Sequence, residues 1–214
     1  MATTNDMATG RASLIHQAFW LEYLTFAWMI VEAAVGIGAG LAAGSLVLTA
    51  FGIDSLIELA SEGLLLWRLT VELRHGETFA ESAEKLASRI GGALLFALAF
   101  YVVASAGWKL WTRTGGEFSA TGLLLSVAAI PIMYVLSRRK LDLAGSLGSR
   151  ALRADAIESL TCGWLAFVVV AALVAQWALG AWWVDPVASL AVVWLLVREG
   201  REAWAGEECC DHCH

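Results

Sequence analysis

Residues 50–67, which read AFGIDSLIELASEGLLLW, are apolar over the length of a bilayer and yet contain three acidic residues. Asp54, Glu58 and Glu62 follow one another at intervals of four, so they lie on one flank of a helix. A carboxylate near the middle of a membrane costs about 2.5–3.5 kcal/mol on insertion scales. Such acids are therefore held inside a helix bundle, where they bind an ion or move protons. The alternative is a soluble amphipathic helix with a solvated acidic face, which the apolar opposite face disfavours.

The composition of the whole chain is that of an integral membrane protein. Hydrophobic residues make up 59% and charged residues 16% of the 214 residues, whereas soluble domains average about 45–50% and about 25%. Several long apolar runs predict an all-α protein that crosses the membrane repeatedly. The first 17 residues lack the ordered regions of a signal peptide. Basic residues form no continuous stripe, so we expect no nucleic-acid binding.

Six transmembrane spans are predicted, and they define the domain organisation. A cytoplasmic N-terminal segment covers residues 1–17, the transmembrane domain covers 18–204, and a Cys/His-rich tail covers 205–214. The last span is expected to continue as an interfacial helix as far as Trp204. The spans are placed at residues 18–41, 44–67, 90–111, 120–136, 154–179 and 186–197.

Basic residues predict the orientation of these spans. All Lys and Arg residues except Lys109 and Arg113 fall in segments that share a side with the N-terminus. The excess of basic residues marks that side as cytoplasmic, so both termini are expected inside a multi-pass protein of the cell membrane. A tight, glycine-rich turn is predicted outside, between the first two spans, with Gly36, Gly38, Gly40 and Gly44.

The acids within the spans are unevenly distributed, because the third and fourth spans contain none. In the fifth span, Glu158 and Cys162 are four residues apart and point the same way. If the second and fifth spans pack face to face, Asp54, Glu58, Glu158 and Cys162 form a four-ligand cage. Carboxylate and thiolate ligands suit Zn²⁺, and the soft sulfur also makes Cd²⁺ plausible.

Other roles remain open for several of these side chains. Cys162 is equally explained as a small buried hydrophobic residue, and Glu158 as a hydrogen-bonding partner of a neighbouring helix. Glu32 is deep enough to be a gate, a proton relay or an outer ligand. Glu62 is a possible accessory ligand.

Three further acids lie near the ends of spans. Asp155 and Asp185 sit at span starts, where an N-cap role is at least as plausible as a role in a site. Asp155 is retained as a possible accessory ligand. Glu22 lies near the cytoplasmic surface, and snorkelling to water would explain it.

The C-terminal sequence EECCDHCH is dense in thiol and imidazole groups. In a reducing cytosol this composition favours metal capture over disulfide formation, although a frayed end without function is the alternative. The possible accessory ligands of this tail are Cys209, Cys210, His212, Cys213 and His214.

Taken together, these patterns resemble the cation diffusion facilitator family of divalent-metal/proton antiporters, over about residues 20–204. The motifs that carry the resemblance are GIDSLIE at 52–58, RADAIESLTC at 153–162 and VDPVASL at 184–190. The resemblance implies a secondary transporter rather than an enzyme, and a homodimer. Small residues such as Gly91, Gly92 and Ala97 would permit close helix packing in that dimer.

This sequence departs from the pattern of the family at two places. Many members have His and then Asp where this chain has Glu158 and Cys162, so the metal preference does not transfer. Members also commonly carry a cytoplasmic ferredoxin-like domain after the sixth helix. This sequence ends at His214, so we expect it to lack that domain.

A transport mechanism follows from the predicted cage. Three carboxylates and a thiol cannot all be ionised in a dry site, so without metal they should hold protons. A divalent cation expels those protons on binding, and returning protons release the cation. A membrane metal sensor or buffer that does not transport is the main alternative. An intramembrane enzyme is disfavoured because no nucleophile–base set accompanies the acids. Co²⁺, Ni²⁺, Fe²⁺ and Mn²⁺ remain possible substrates.

Overall fold

The computed structural model describes residues 4–75, 81–147 and 150–205, and over these ranges it consists of α-helices and short connections. The predicted all-α fold is confirmed. The helices are α1 (Thr4–Ala43), α2 (Leu46–His75), α3 (Glu81–Thr112), α4 (Ala120–Leu147), α5 (Arg150–Leu179) and α6 (Val184–Ala205).

The helices extend beyond the predicted spans, mostly at the ends that lie on the same side of the bundle as the N-terminus. The chain between spans two and three continues α2 to His75 and begins α3 at Glu81. Helix α6 runs to Ala205, as expected. Four helices, α1, α3, α4 and α5, contain stretches long and apolar enough to cross a membrane. Helices α2 and α6 carry more charged residues, which lowers their hydropathy.

Helix α2 occupies the centre of the bundle, where it contacts α1, α3, α5 and α6. Around it, α1 and α5 also pack on α4, and α3 packs on α6. Phe51 and Leu48 of α2 are completely buried in the apolar core, as are Val169 of α5 and Val192 of α6. A central helix of this kind places its own acids among the other helices, so Asp54 is fully buried as well.

The glycines near the first turn differ from the prediction. Only Gly44 lies in the turn, with φ of 59°, whereas Gly36, Gly38 and Gly40 belong to α1. A Cβ atom at Gly36 would lie 3.0 Å from the Cα of Gly52. The missing side chains therefore let α1 and α2 approach closely, as small residues do between membrane helices.

The outer end of the bundle is fastened by one carboxylate. Asp185, expected as an N-cap of its own helix, instead caps α2, because its Oδ2 accepts a hydrogen bond of 2.9 Å from the Leu46 amide. Its Oδ1 accepts from the Val47 amide at 3.3 Å and from the Ser45 hydroxyl at 2.6 Å. Lys109 of α3 adds an ion pair of 3.3 Å to Oδ2. The starts of α2 and α6 and the end of α3 are thus joined.

The outer surface of the described helices is rich in exposed large apolar side chains, as expected for contact with lipid. Trp108 and Trp111, near the outer end of α3, are exposed, and so are Trp182 and Trp183 between α5 and α6. Tryptophan at the ends of membrane-spanning helices is typical of the membrane–water interface.

Gly92 serves packing within the chain. A Cβ atom on Gly92 of α3 would lie 2.9 Å from the carbonyl oxygen of Gly200 in α6. The glycine is therefore needed for the contact between α3 and α6, rather than for the dimer contact suggested from the sequence.

Candidate metal centre

Three acidic side chains from two helices converge in the middle of the bundle. One carboxylate oxygen each from Asp54 and Glu58 of α2 and from Glu199 of α6 lie within 4.8 Å of one another. We call these residues the Asp54 cluster. Asp54 is fully buried, Glu58 is 4% exposed, and Glu199 is half-buried.

The carboxylates of the Asp54 cluster that belong to α2 have no internal partner. In the described part of the chain, neither oxygen of Asp54 and neither oxygen of Glu58 makes a hydrogen bond. Buried charges are ordinarily paired or coordinate a metal, because removing them from water is costly. The geometry and the absence of hydrogen-bond partners therefore fit a binding site for a cation that is not part of the chain.

The two predicted ligands of the fifth span lie beside this cluster, but outside the group of oxygens that converge. Cys162 is 1% exposed, and its sulfur lies 3.7 Å from the carboxylate of Glu32. Glu158 is one turn away on α5, and its side chain is exposed. The structure thus brings Asp54 and Glu58 together and places Glu158 and Cys162 nearby.

Glu32 joins α1 to the same region. It is completely buried, and its Oε1 accepts a hydrogen bond of 2.7 Å from the indole of Trp28. Its Oε2 accepts from the Ser55 hydroxyl at 3.4 Å and lies 3.7 Å from the Cys162 sulfur, which donates to it. Of the roles left open for Glu32, this position directly beside Cys162 suits a proton relay or an outer ligand.

A second group of buried acids lies towards the side of the bundle that holds the N-terminus, and it contains its own cation. Lys140 of α4 is fully buried, and its Nζ lies 3.0 Å from Glu22 of α1, 3.4 Å from Glu62 of α2 and 2.6 Å from Asp155 of α5. We call these four residues the Lys140 cluster. The three carboxylates also satisfy the spacing of a metal site, but the lysine ammonium lies between them.

The Lys140 cluster corrects three expectations. Glu22 is 3% exposed and paired with Lys140, so it does not snorkel to water. Asp155 is not an N-cap, because α5 begins at Arg150. Lys140 does not lie in a cytoplasmic loop, because α4 continues to Leu147. In each case the helix extends further than the apolar run that marks the span.

The sequence analysis did not identify Lys140 or Glu199 as interior residues, although the sequence contains a signal for both. The buried positions of α4 include Met133, Ser137, Lys140 and Ala144, which recur at intervals of three and four. In α6 the interval from the buried Val192 to Glu199 is seven residues, so both lie on one helix face. Carrying the helical period beyond the apolar runs would have placed both charged residues towards the interior.

The cysteine and histidine residues of the tail, 209–214, lie outside the described residues. Their role in metal handling stays a prediction.

Comparisons with known proteins agree with the all-α membrane fold. A family model described as the cation efflux transmembrane domain matches residues 23–204. An uncharacterized transporter from Synechocystis sp. is 29% identical over 160 residues, which cover 73% of this chain and 52% of that protein. The chain therefore spans about half the length of this curated relative.

Proposed function

Because the chain belongs to the cation efflux family of membrane transporters, we propose that it exports a divalent metal ion, Zn²⁺ in the first place, in exchange for protons. The membrane we assign to it is the cytoplasmic membrane. The observation that carries this proposal is that all four carboxylate oxygens of Asp54 and Glu58 are buried without a hydrogen-bond partner.

The contrast within the bundle supports a cation as the missing partner. Lys140 supplies a positive charge to three buried acids, whereas no Lys or Arg among the described residues forms an ion pair with Asp54 or Glu58. Several negative charges held close together in a low dielectric repel one another strongly. A divalent cation between Asp54 and Glu58 removes that repulsion and satisfies their free oxygens.

The ligand set that we propose for the transported ion is Asp54, Glu58, Glu158 and Cys162. The first two lie together, and the other two are on α5, which contacts α2. A small movement of α5 relative to α2 would complete the set. Oxygen and sulfur ligands in a tetrahedral arrangement suit Zn²⁺, and the thiolate extends the range to Cd²⁺.

Exchange with protons follows from competition for the same ligands. Without metal, charges this close cannot all persist, so part of the group holds protons. Binding of the metal displaces them, and protons that arrive from the outer side displace the metal in turn. Export against an inside-negative potential costs about 2.3 kcal/mol per charge per 100 mV. Protons moving inwards offset that cost.

Flux into proteoliposomes tests this proposal. Purified wild-type protein and the Asp54→Ala variant are reconstituted, and uptake of Zn²⁺, Cd²⁺, Co²⁺, Ni²⁺, Fe²⁺ and Mn²⁺ is measured together with the internal pH. We expect Zn²⁺ uptake with opposing proton movement for the wild type, and neither for the variant. Zn²⁺ uptake without any opposing proton flux at any pH would contradict the proposed exchange with protons, whereas the proposed metal transport would stand.

The second candidate function is a membrane metal sensor or buffer that binds without transport. The same buried acids favour it, since metal binding requires the site but not the conformational change that transport requires. It predicts saturable, Asp54-dependent binding of Zn²⁺ by the protein with no accumulation inside the liposomes.

We also propose a homodimer, which the molecular mass of the protein in nanodiscs tests.

A further inference from the structure

We propose that Glu199 of α6 is a ligand of the transported cation, in addition to the residues of α2 and α5. This inference rests on the proposed function, since it concerns the same ion. It adds a third helix to the site and an acid that the sequence motifs do not indicate.

The first support is the convergence of three ligand atoms. A carboxylate oxygen of Glu199 lies within 4.8 Å of those of Asp54 and Glu58. Asp54 and Glu58 are more than nine-tenths buried, and none of their oxygens has a hydrogen-bond partner in the described part of the chain. Metal–oxygen bonds of about 2.0–2.2 Å place tetrahedral ligands about 3.5 Å apart, so a side-chain shift of about 1 Å would bring all three oxygens into contact with one cation.

The second support is the register of the two helices. Asp185, the second residue of α6, binds the amides of Leu46 and Val47 at the start of α2, so both helices begin at the same level. At 1.5 Å per residue, Glu199 lies about 21 Å beyond Asp185, and Glu58 lies about 18 Å beyond Leu46. The two acids therefore meet at nearly the same depth, and Glu199 is on the cytoplasmic side of Asp54.

The third support is the pairing of the neighbouring basic side chain. Arg198, which precedes Glu199, donates a hydrogen bond of 3.0 Å to Glu202 on the exposed face of α6. Arg198 is thus engaged away from the cluster. Glu199 is left to face the two acids of α2, and a cation between them relieves the repulsion of all three.

The set of three carboxylates differs in chemistry from the ligands of α5. Oxygen ligands alone suit hard cations such as Mn²⁺ as well as Zn²⁺, whereas the thiol of Cys162 favours soft cations. Glu199 therefore adds an oxygen ligand to the Asp54 cluster, beside the thiol that Cys162 offers from α5.

Equilibrium binding of metal to the purified full chain in detergent tests this assignment. Titration calorimetry with ZnCl₂ and MnCl₂ compares the wild type with Glu199→Gln, Glu199→Asp and Asp54→Asn. The matched control is Asp142→Asn, which removes one exposed acid from the cytoplasmic part of α4. Size-exclusion profiles verify that each variant is folded.

We expect Glu199→Gln to weaken binding of both metals by about tenfold or more, because even outer partners of metal ligands typically contribute that much. Glu199→Asp keeps the charge on a shorter side chain and should give an intermediate loss, and Asp142→Asn should give none. If Glu199→Gln binds like the wild type while Asp54→Asn does not bind, the assignment of Glu199 is overturned and the proposed function stands. If Asp54→Asn also binds like the wild type, both fail.

Discussion

The two groups of buried acids contain three carboxylates each, and they differ in where the compensating charge comes from. The Lys140 cluster takes its cation from α4, with ion pairs of 2.6–3.4 Å to three other helices. The Asp54 cluster has no such lysine or arginine among the described residues, and the oxygens of Asp54 and Glu58 are unpartnered.

This difference separates a structural role from a transport role. A tethered ammonium cannot leave its acids, so the Lys140 cluster holds α1, α2, α4 and α5 together. A seat without a tethered cation can be filled and emptied, as a transporter requires. Buried acids are therefore informative only together with the charge that faces them, since the spacing of the ligand atoms does not distinguish the two clusters.

The largest effect is expected at the Asp54 cluster, and it concerns transport alone. Asp54→Asn or Glu58→Gln should reduce metal flux into liposomes to the level of liposomes without protein. The melting temperature in detergent should stay equal or rise, because a buried charge without a partner destabilises the fold. Asp142→Asn is the control and should change neither quantity. A large fall in melting temperature would show that these acids are structural, as in the Lys140 cluster.

The opposite result is expected for the lysine. Lys140→Met leaves three buried acids without their cation, and breaking a buried ion pair in this way costs about 3–5 kcal/mol. The melting temperature should therefore fall steeply. Arg139→Met, which changes the adjacent exposed residue, should melt like the wild type. If both variants melt alike, the lysine does not hold the helices together.

Removing one acid as well should restore part of this loss. Asp155→Asn in the Lys140→Met background deletes one of the three repelling charges, whereas Asp155→Asn alone deletes a partner of the lysine. The double-mutant cycle should give a coupling free energy of about 0.5–3 kcal/mol. Additive melting shifts would mean that the 2.6 Å contact of Asp155 with Lys140 contributes nothing specific.

The smallest effect is expected from the sulfur. Cys162→Ser should lower the preference for Cd²⁺ over Zn²⁺ by roughly threefold to tenfold, or about 0.7–1.4 kcal/mol in relative affinity. The reason is that a hydroxyl is a harder ligand than a thiol. Competition between the two metals during uptake measures this ratio. An unchanged ratio would assign Cys162 to the apolar core, where it also makes contacts.

The six helices and the acids of α2 could be predicted because each depends on local sequence. Long apolar runs identify the helices, and a spacing of four places Asp54 above Glu58 on one face. Hydropathy does not determine how far a helix continues into water. For this reason the apolar runs of α4 and α6 do not reveal that Lys140 and Glu199, which follow them, point into the bundle.

Contacts between distant residues were also beyond the sequence. Asp185 caps a helix whose first residue, Leu46, lies 139 residues earlier. Nothing in the sequence around either residue indicates that the two are in contact. The same holds for Gly36 and Gly52. The absence of side chains at these two positions matters only because α1 and α2 are in contact there. Local sequence patterns predict the helices, whereas tertiary packing determines which helices form hydrogen bonds with one another.

The cap that Asp185 provides has a mechanical consequence for alternating access. Because hydrogen bonds join α2 and α6 at this end, a tilt of either helix would move this end least and the opposite end most. Helix α2 has 30 residues, or about 45 Å, so a tilt of about 10° displaces its far end by about 8 Å. The displacement would decrease towards the capped end, so Asp54, about 12 Å from it, would move about half as far as Glu62, about 24 Å from it.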